Sequence, residues 1–410
     1  MFQWLRDYLY FLCRCVVISF RGGRLFYIWM TILTVLTLIG LNAYCKQLVE
    51  GLYVTGMTDQ VSWGLYIANF TYLVGMAAAA VMLVIPVYIY KNEELENVVI
   101  LGELFAIAAI VMALIFVVVD LGRPDRFWHL IPFIGRLNWP DSMLSWDVIV
   151  LNIYLLLNLH ICGYLLYMKY LNKKATYRFY IPFVFLAIVW AISIHTVTAF
   201  LFNGLGGRPF WNTAVLGPRF IASAFSSGPA FIVVTLQIIH KFTDYQIEKK
   251  ALLMLRKLIQ VAMLISVFLF LNEFFVEFYT NSLHVASMQY LFFGLHGHNG
   301  LVPWIWTAMV FNFLSMFMLL HPISKDIKFL NIACVLCIVG IWIEKGMGLI
   351  IPGFIPTPLG QIVEYSPTIN EVLVCIGIWA FGFLSYTILL KTSIPILLGQ
   401  LNINKELKST

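Results

Sequence analysis

The chain has 410 residues, of which 61% are hydrophobic and only 11% are charged, and its formal net charge is +6. Soluble domains carry roughly 25% charged residues, so this composition excludes an ordinary soluble protein. Within a bilayer every backbone polar group must be paired inside the chain, which leaves helices or a closed barrel. The apolar segments reach about 20 residues, the length of a spanning helix, without the alternation typical of barrel strands. The sequence therefore predicts an all-α integral membrane protein.

The first 24 residues form an apolar stretch that carries four arginines: Arg6, Arg14, Arg21 and Arg24. No small-residue cleavage site follows, and a full-length span begins at once, which disfavours a secretory signal peptide. We interpret this segment as a helix that lies at the membrane surface.

Ten spans are predicted after that segment and are called helices 1–10. They cover residues 24–45, 62–90, 98–120, 147–168, 179–203, 217–240, 257–280, 300–321, 327–346 and 370–391. Tyr66-Ile67-Ala68 on helix 2 is similar to Phe220-Ile221-Ala222 on helix 6, and a repeat of this kind is typical of parallel bundles. We therefore predict two four-helix bundles, helices 2–5 and 6–9, with helices 1 and 10 outside them.

The predicted division of the chain follows these bundles. Residues 1–61 hold the N-terminal segment and helix 1, 62–216 the first bundle, 217–346 the second bundle, and 347–410 an outer loop, helix 10 and a tail. Most of the 26 Lys and Arg residues lie on the side of the N-terminus. The positive-inside rule then predicts a multi-pass protein of the cytoplasmic membrane with both termini cytoplasmic. The long outer connections indicate a docking face or a site, since connections that only join helices are usually short.

Ionisable side chains inside a span are costly and usually face a cavity or a partner. Helix direction places several of them in the outer half of the membrane: Asp120, Asp147, His195, Glu273 and Glu277. Glu103 lies nearer the inner side. Two interpretations stay open for Glu103, Glu273 and Glu277, namely a relay for protons or carboxylates that pair with nearby cations.

The densest polar motif is Asp120-Leu-Gly-Arg-Pro-Asp-Arg-Phe-Trp-His129, which leaves helix 3 and turns at Gly122 and Pro124. Its carboxylates and histidine can exchange protons, its arginines can hold carboxylates, and its aromatic rings offer a flat apolar wall. Such a pocket suits a quinol, whose oxidation requires a proton acceptor within hydrogen-bonding distance. The alternative is a helix end whose charges pair with one another.

The cysteines and histidines do not indicate a redox centre in this chain. The seven cysteines lack the spacing of an iron–sulfur motif. His160 and His195 differ in depth, whereas a bis-histidine haem needs both ligands at one depth. We therefore expect no haem, iron–sulfur cluster or metal site.

Several segments resemble the NrfD/polysulfide reductase membrane-subunit family. They are Trp63-Gly64, Tyr66-Ile67-Ala68-Asn69-Phe70 with Gly75, the Asp120-Leu-Gly-Arg-Pro-Asp-Arg turn, Trp146-Asp147, His195-Thr-Val-Thr-Ala-Phe200 and Gly206-Gly-Arg-Pro-Phe-Trp211. Within the family, the chain is most similar to the DsrP/HmeB group of DsrMKJOP and Hdr-like menaquinol-oxidizing complexes. The specific motifs lie between residues 63 and 230, and the span pattern matches over the whole chain.

This resemblance implies a subunit without its own redox centre that binds menaquinol near the outer face and serves sulfur-compound respiration. The implied partners are an outer-face ferredoxin-like iron–sulfur subunit (DsrO-like), a multihaem cytochrome c (DsrJ-like), a haem-b membrane subunit (DsrM-like) and a cytoplasmic iron–sulfur subunit (DsrK-like). No nucleic acid partner is expected.

The resemblance also implies an acid and a histidine at the quinol site. Asp120 matches the acid by motif, and His129 and His195 both qualify as the histidine by position. The expected quinol-binding residues are Arg123, Arg126, Trp128, Trp146 and Asp147. Two other functions stay open: a proton-translocating module without its own quinol site, and a secondary transporter, for which a broken helix at Gly228-Pro229 would be the sign.

Overall fold

The computed structural model describes residues 3–131, 133–282 and 285–403. The last seven residues of the predicted tail therefore lie outside the described residues. In the described ranges the regular elements are all helical, which confirms the predicted fold class. The side that holds the N-terminal helix, Gln3–Ser19, is called the inner side below, and the opposite side is called the outer side.

Within the described ranges, ten helices are long and apolar enough to cross a membrane, and each matches one predicted span. Their bounds are Arg24–Glu50, Leu65–Ile89, Val98–Asp120, Met143–Tyr170, Tyr177–Asn203, Leu216–Phe242, Lys249–Thr280, Val302–Leu320, Ile327–Phe354 and Ile369–Leu397, for helices 1–10 in order. A short additional helix, Val285–Phe293, lies in the connection between helices 7 and 8.

The spanning helices pack in two closed rings. Helices 2, 3, 4 and 5 contact one another in that order, and helix 5 returns to helix 2; helices 6–9 form a second ring in the same way. Helices 1 and 10 pack against each other, and helix 10 also packs against helix 3. Every residue of Leu65–Ala78 on helix 2 is buried, so helix 2 lies at the centre of the molecule.

The seam between the rings is formed by helices 2 and 6, which approach closely because small residues line it. A Cβ at Gly228 would overlap Ala79, and a Cβ at Gly75 would lie 3.5 Å from the Cβ of Ala224. Helix 6 continues through Pro229 from Leu216 to Phe242. The broken helix that would indicate a secondary transporter is therefore not found at Gly228-Pro229.

The helix that contains helix 3 extends from Glu93 to Asp120, and local sequence explains how this helix and helix 10 begin. The side chain of Asn92 accepts a hydrogen bond from the N–H of Leu95, and Glu93, Glu94 and Glu96 follow in the first turn, where the helix dipole favours anions. Helix 10 begins with a capping box: the hydroxyl of Thr368 accepts from the N–H of Glu371, and the carboxylate of Glu371 accepts from the N–H of Thr368. That capping box fixes the Glu371 carboxylate at the outer end of helix 10, close to the end of helix 3.

Candidate functional site

Asp120 is the last residue of helix 3, and the backbone becomes extended at Leu121. The side chain turns inward, since its Oδ1 atom is shielded from solvent and has no hydrogen-bond partner among the described residues. An unpaired carboxylate oxygen in such a place is costly. A bound ligand or a proton would satisfy this Asp120 oxygen.

Helices 1 and 2 hold the surroundings of Asp120 in place. The side-chain amide of Gln47 on helix 1 donates to the carbonyl oxygen of Val119 at 2.7 Å. Its carbonyl oxygen accepts from the hydroxyl of Tyr66 on helix 2, also at 2.7 Å. Tyr66, in turn, interacts electrostatically with Asp120. These two hydrogen bonds therefore link helices 1, 2 and 3 at Val119, the residue before the unpaired carboxylate.

A second carboxylate, Glu371, lies near Asp120 and is fully buried. It accepts hydrogen bonds from the N–H of Gly56 at 2.6 Å, the hydroxyl of Tyr365 at 2.7 Å and the N–H of Thr368 at 3.0 Å. Burial and the Glu371 carboxylate raise the pKa of Tyr365, which keeps this phenol a donor. Glu371 is therefore satisfied where Asp120 is not. We call Gln47, Tyr66, Asp120, Tyr365 and Glu371 the outer cluster.

The rest of the Asp120–His129 motif faces outward. Arg123 and Asp125 form an exposed ion pair at 3.0 Å, and their hydrogen bond raises the pKa of Arg123 and lowers that of Asp125. Arg126, Trp128 and His129 are exposed, and the ring of Trp128 lies 3.9 Å from that of His129. Among the described residues, no hydrogen bond or ion pair joins these side chains to Asp120.

Trp146 and Asp147 lie at the outer end of helix 4, where the first side chain faces outward and the second is buried. The indole of Trp146 donates to the carbonyl oxygen of Pro140 at 2.8 Å and packs against Trp139 at a ring distance of 5.1 Å. Asp147 is 2% exposed and accepts a 2.7 Å hydrogen bond from the hydroxyl of Thr198 on helix 5. The side chain of Trp146 therefore packs on the outer loop, whereas the side chain of Asp147 lies in the interior of the first bundle.

His195 lies one turn before Thr198 on the same helix and is 1% exposed. Neither ring nitrogen has a hydrogen-bond partner in the described part of the chain, which leaves two buried polar atoms unsatisfied. Residues three apart share a helix face, so His195 points into the same region of the first bundle as the Asp147–Thr198 pair. Of the two histidine candidates, His195 is buried and unpaired, whereas His129 is at the surface.

The three relay candidates lie in different surroundings. Glu103 is 2% exposed and accepts a 3.6 Å contact from the thiol of Cys162. Glu277 is buried and accepts from the hydroxyl of Ser282 at 2.8 Å. Glu273 forms an ion pair with Arg219 on helix 6. The structure does not bring these carboxylates together in one row.

Arg219 is the centre of a buried charged cluster in the second bundle that the sequence did not predict. It pairs with Glu273 and, at 2.8 Å, with Glu344 on helix 9. Glu344 also accepts from the side chain of Asn312 on helix 8 at 2.7 Å. Lys345 is buried beside this cluster, donates to the carbonyl oxygen of Phe220 at 3.2 Å and interacts electrostatically with His195. The sequence gives no signal for this cluster, because an arginine close to the start of a span ordinarily extends to the membrane surface.

Comparison with known proteins shows which family the chain belongs to. A family model described as polysulphide reductase, NrfD, matches residues 53–356. An Archaeoglobus fulgidus protein named Hdr-like menaquinol oxidoreductase integral membrane subunit is 23% identical over 87% of this chain and 90% of its own length. One of the subunits of the selenate reductase of Mesobacillus selenatarsenatis is 24% identical over 88% of this chain and 92% of its own length.

A third relative matches over a shorter region. This Halobacterium salinarum protein, named as a membrane subunit of a putative dimethyl sulfoxide reductase, is 29% identical over 57% of this chain, and the alignment spans 56% of that protein. The family match includes helices 2–9, the Asp120 turn, His195 and the Arg219 cluster. The chain belongs to the polysulphide reductase NrfD family.

Proposed function

We propose that this chain is the menaquinol-binding membrane subunit of a respiratory redox complex that exchanges electrons with an iron–sulfur partner on the outer side. Relatives named as membrane or integral membrane subunits of oxidoreductases support the role in a complex. The Archaeoglobus protein, whose name includes menaquinol, supports the choice of quinol. The unpaired Asp120 oxygen in the outer cluster is the observation that carries the proposal.

The outer cluster fits a quinol headgroup for three reasons. The Asp120 oxygen can accept a hydroxyl proton, which is what quinol oxidation requires. Glu371 already accepts hydrogen bonds from three donors, so the Asp120 oxygen is the unpaired carboxylate atom of the cluster. The hydroxyl of Tyr66 is oriented by Gln47, which leaves its oxygen able to accept a further hydrogen bond.

When bound, menaquinol supplies two electrons and two protons. Asp120 takes a proton at its free oxygen, while Gln47 and Tyr66 fix the end of helix 3 against helices 1 and 2. His195, buried with both nitrogens unpaired, is a second proton acceptor inside the first bundle. The exposed Arg123, Arg126, Trp128 and His129 line the entrance instead of the headgroup site.

The proposed setting is the cytoplasmic membrane, with both termini in the cytoplasm and the outer cluster on the opposite side. The Lys and Arg bias towards the inner side supports this orientation. The relatives are named for menaquinol, selenate and dimethyl sulfoxide enzymes, so the same kind of membrane subunit serves several terminal substrates. For this chain we propose a sulfur-compound respiratory complex with partners like DsrO, DsrJ, DsrM and DsrK.

Replacing Asp120 with Asn tests the proposal. We expect the D120N complex to assemble and to lose quinol-dependent reduction by about a hundredfold or more, in the range for removing a general base. The readout is reduction of the complex by a menaquinol analogue, together with binding of the analogue to the purified chain by tryptophan fluorescence quenching. D125N is the matched control, because Asp125 is exposed in the same turn.

Each result has a definite meaning. Loss of turnover in D120N with normal turnover in D125N supports Asp120 as the proton acceptor. Normal turnover in both variants contradicts the assignment of Asp120. If H195Q alone abolishes turnover, the quinol site lies deeper, beside the Asp147–Thr198 pair.

A second candidate function is proton translocation by the second bundle. The observation that favours it is the buried chain of Glu273, Arg219, Glu344 and Asn312, which lies outside the proposed quinol site. Charged groups in this position are expected to mark an ion pathway or a structural ion pair. In proteoliposomes, E273Q should change the number of protons moved per electron if the cluster carries protons; an unchanged ratio and rate indicate a structural ion pair.

A further inference from the structure

The N-terminal helix, Gln3–Ser19, is fixed to the molecule along one face only. That face carries Phe11, Cys15 and Ile18, which follow one helical stripe and pack against the core. The ring of Phe11 lies 5.2 Å from that of Tyr167 and 5.0 Å from that of Tyr170, both at the inner end of helix 4. This helix therefore lies beside the inner ends of the spanning helices.

The opposite face of the N-terminal helix is apolar and uncovered. Leu9, Cys13 and Val16 are exposed there, with exposed fractions of 55% for Leu9 and 58% for Val16. Residues advance by about 100° each around a helix of 3.6 residues per turn, so these three positions lie roughly opposite the stripe of Phe11, Cys15 and Ile18. Phe20, in the turn that follows the helix, is 66% exposed.

The charged residues of this helix lie between those two faces. Arg6, Asp7 and Arg14 occupy one side strip, and Arg6 pairs with Asp7 at 4.0 Å. The other side strip holds Leu5 and Leu12, which are also exposed. A helix lying alongside a bundle at a membrane surface needs this arrangement: protein on one side, lipid opposite, and water along a single strip. A protein partner below the bundle would instead meet the charged strip.

The turn after this helix adds positive charge at the same level. Arg21 and Arg24 flank Gly22 and Gly23, and the hydroxyl of Tyr27 donates to the carbonyl oxygen of Phe20 at 2.9 Å, which holds the turn. Lys391 of helix 10 lies 5.2 Å from the ring centre of Phe26, next to the turn. None of these three cations forms an ion pair with a residue that the structure describes. We call Arg21, Arg24 and Lys391 the basic turn.

We propose that the N-terminal helix and the basic turn bind anionic phospholipids of the leaflet on the inner side. The apolar face enters the acyl-chain boundary, and the basic turn meets the phosphate-bearing headgroups. Buried apolar area and attraction to anionic lipids together set the strength of such binding. Each basic residue near an anionic surface strengthens the attraction, and salt weakens it. This surface lies at the inner ends of helices 1 and 10, opposite the outer cluster, and does not depend on quinol chemistry.

The first measurement is the depth of Cys13 in the membrane. The full chain, with Cys15 and Cys45 replaced by Ser, is spin-labelled at Cys13 and reconstituted in vesicles of phosphatidylcholine with phosphatidylglycerol. We expect the label to collide more with oxygen than with a water-soluble nickel complex, as a position within the acyl boundary does. A label that is open to nickel overturns the lipid assignment.

The second measurement is lipid selectivity, with a matched control on the other side. We expect the triple variant R21Q/R24Q/K391Q to lose the preference for phosphatidylglycerol over phosphatidylcholine by at least about tenfold, as counted by native mass spectrometry of the purified chain. The control variant R123Q/R126Q/R136Q removes the same charge from the outer loop and should keep the preference. Equal selectivity in the wild type and the inner triple variant contradicts the proposal; if that variant does not fold, the depth of Cys13 decides.

Discussion

The hydroxyl of Tyr66 donates a 2.7 Å hydrogen bond to the side-chain oxygen of Gln47, and this bond crosses from helix 2 to helix 1. The amide of Gln47 continues to the carbonyl oxygen of Val119, the residue before Asp120. The position of the unpaired carboxylate therefore depends on two side chains that carry no charge. Both are buried, and neither belongs to the polar turn that follows helix 3.

Replacing Tyr66 with Phe should weaken quinol turnover without unfolding the chain. Loss of one buried hydrogen bond costs about 1 kcal/mol, which corresponds to roughly a fivefold change in a rate or binding constant. We expect kcat/KM for a menaquinol analogue to fall by about that factor. Y72F is the control, since the Tyr72 hydroxyl bonds to the carbonyl oxygen of Ile338 at 3.2 Å, away from Asp120. Equal effects of Y66F and Y72F would point to a general packing loss.

Replacing Arg219 should destabilise the fold more than replacing either of its partners. Arg219 pairs with both Glu273 and Glu344, so R219M leaves two buried carboxylates without their ion-pair partner. Breaking a buried pair from one side costs about 3–5 kcal/mol, whereas E273Q leaves the Arg219–Glu344 pair in place. Thermal unfolding in detergent should give the order wild type, E273Q, R219M. A variant R219M as stable as E273Q contradicts this prediction.

Adding a methyl group where helices 1 and 10 cross should loosen that helix pair. A Cβ at Gly377 would lie 2.6 Å from the Cα of Gly40, so G377A forces the two backbones apart. Overpacking of this kind costs about 1–3 kcal/mol, and we expect a lower melting temperature for G377A. G163A on helix 4 is the control, because nothing lies within 4 Å of the added Cβ there. A destabilised G163A would show that the methyl group itself, and not the crossing, is responsible.

The outer loops should loosen in acid through Glu364. Although burial opposes its ionisation, the N–H of Gly300 at 2.9 Å and His298 at 3.2 Å lower the pKa of Glu364. A carboxyl group whose pKa is lower in the folded than in the unfolded protein stabilises the fold at pH values above its unfolded pKa. This contribution to stability is lost as the pH falls through the folded pKa. We expect the Gly300 amide to lose protection from hydrogen exchange below about pH 4, after correction for the intrinsic pH dependence of exchange.

The charge of Glu364 can be removed to check this pH effect. E364Q should abolish the pH dependence at Gly300, whereas E50Q, which changes an exposed carboxylate at the outer end of helix 1, should keep it. Tyr290, at 3.5 Å, is another titratable group near Glu364, and it stays protonated in this pH range. The same profile in E364Q and wild type would place the acid response elsewhere.

Hydropathy was sufficient to predict the ten helices, but not where each of them begins. Helix 7 starts at Lys249, eight residues before the predicted 257, because the Lys- and Arg-rich residues that precede the apolar segment are also helical and are held by tertiary contacts. Arg256 is buried there and donates to Ser324 at 2.6 Å and to the carbonyl oxygen of Leu319 at 2.6 Å. A hydropathy scale treats every arginine as solvent-exposed, so it cannot recognise a buried arginine.

The candidate site was predictable where one segment carries the signal. Asp120 stood out because an acid ends an apolar span, and the structure places it there with an unpaired oxygen. Gln47, Tyr66 and Glu371 could not be associated with it, since they come from three other helices and look ordinary in sequence. The neighbours of Asp120 in the chain, in contrast, are mostly exposed. Closeness along the chain was a poor guide to closeness in space.

The tight seam between helices 2 and 6 limits how this protein can work. Gly228 faces Ala79 with no room for a further carbon, and Gly75 leaves the space that the ammonium group of Lys345 occupies, 3.2 Å from where a Cβ would be. Alternating access by rocking one bundle against the other would have to separate these surfaces. The molecule is better suited to act as a stationary frame whose helices keep their places, and the proposed quinol function requires no larger movement than that of a small lipid-soluble carrier.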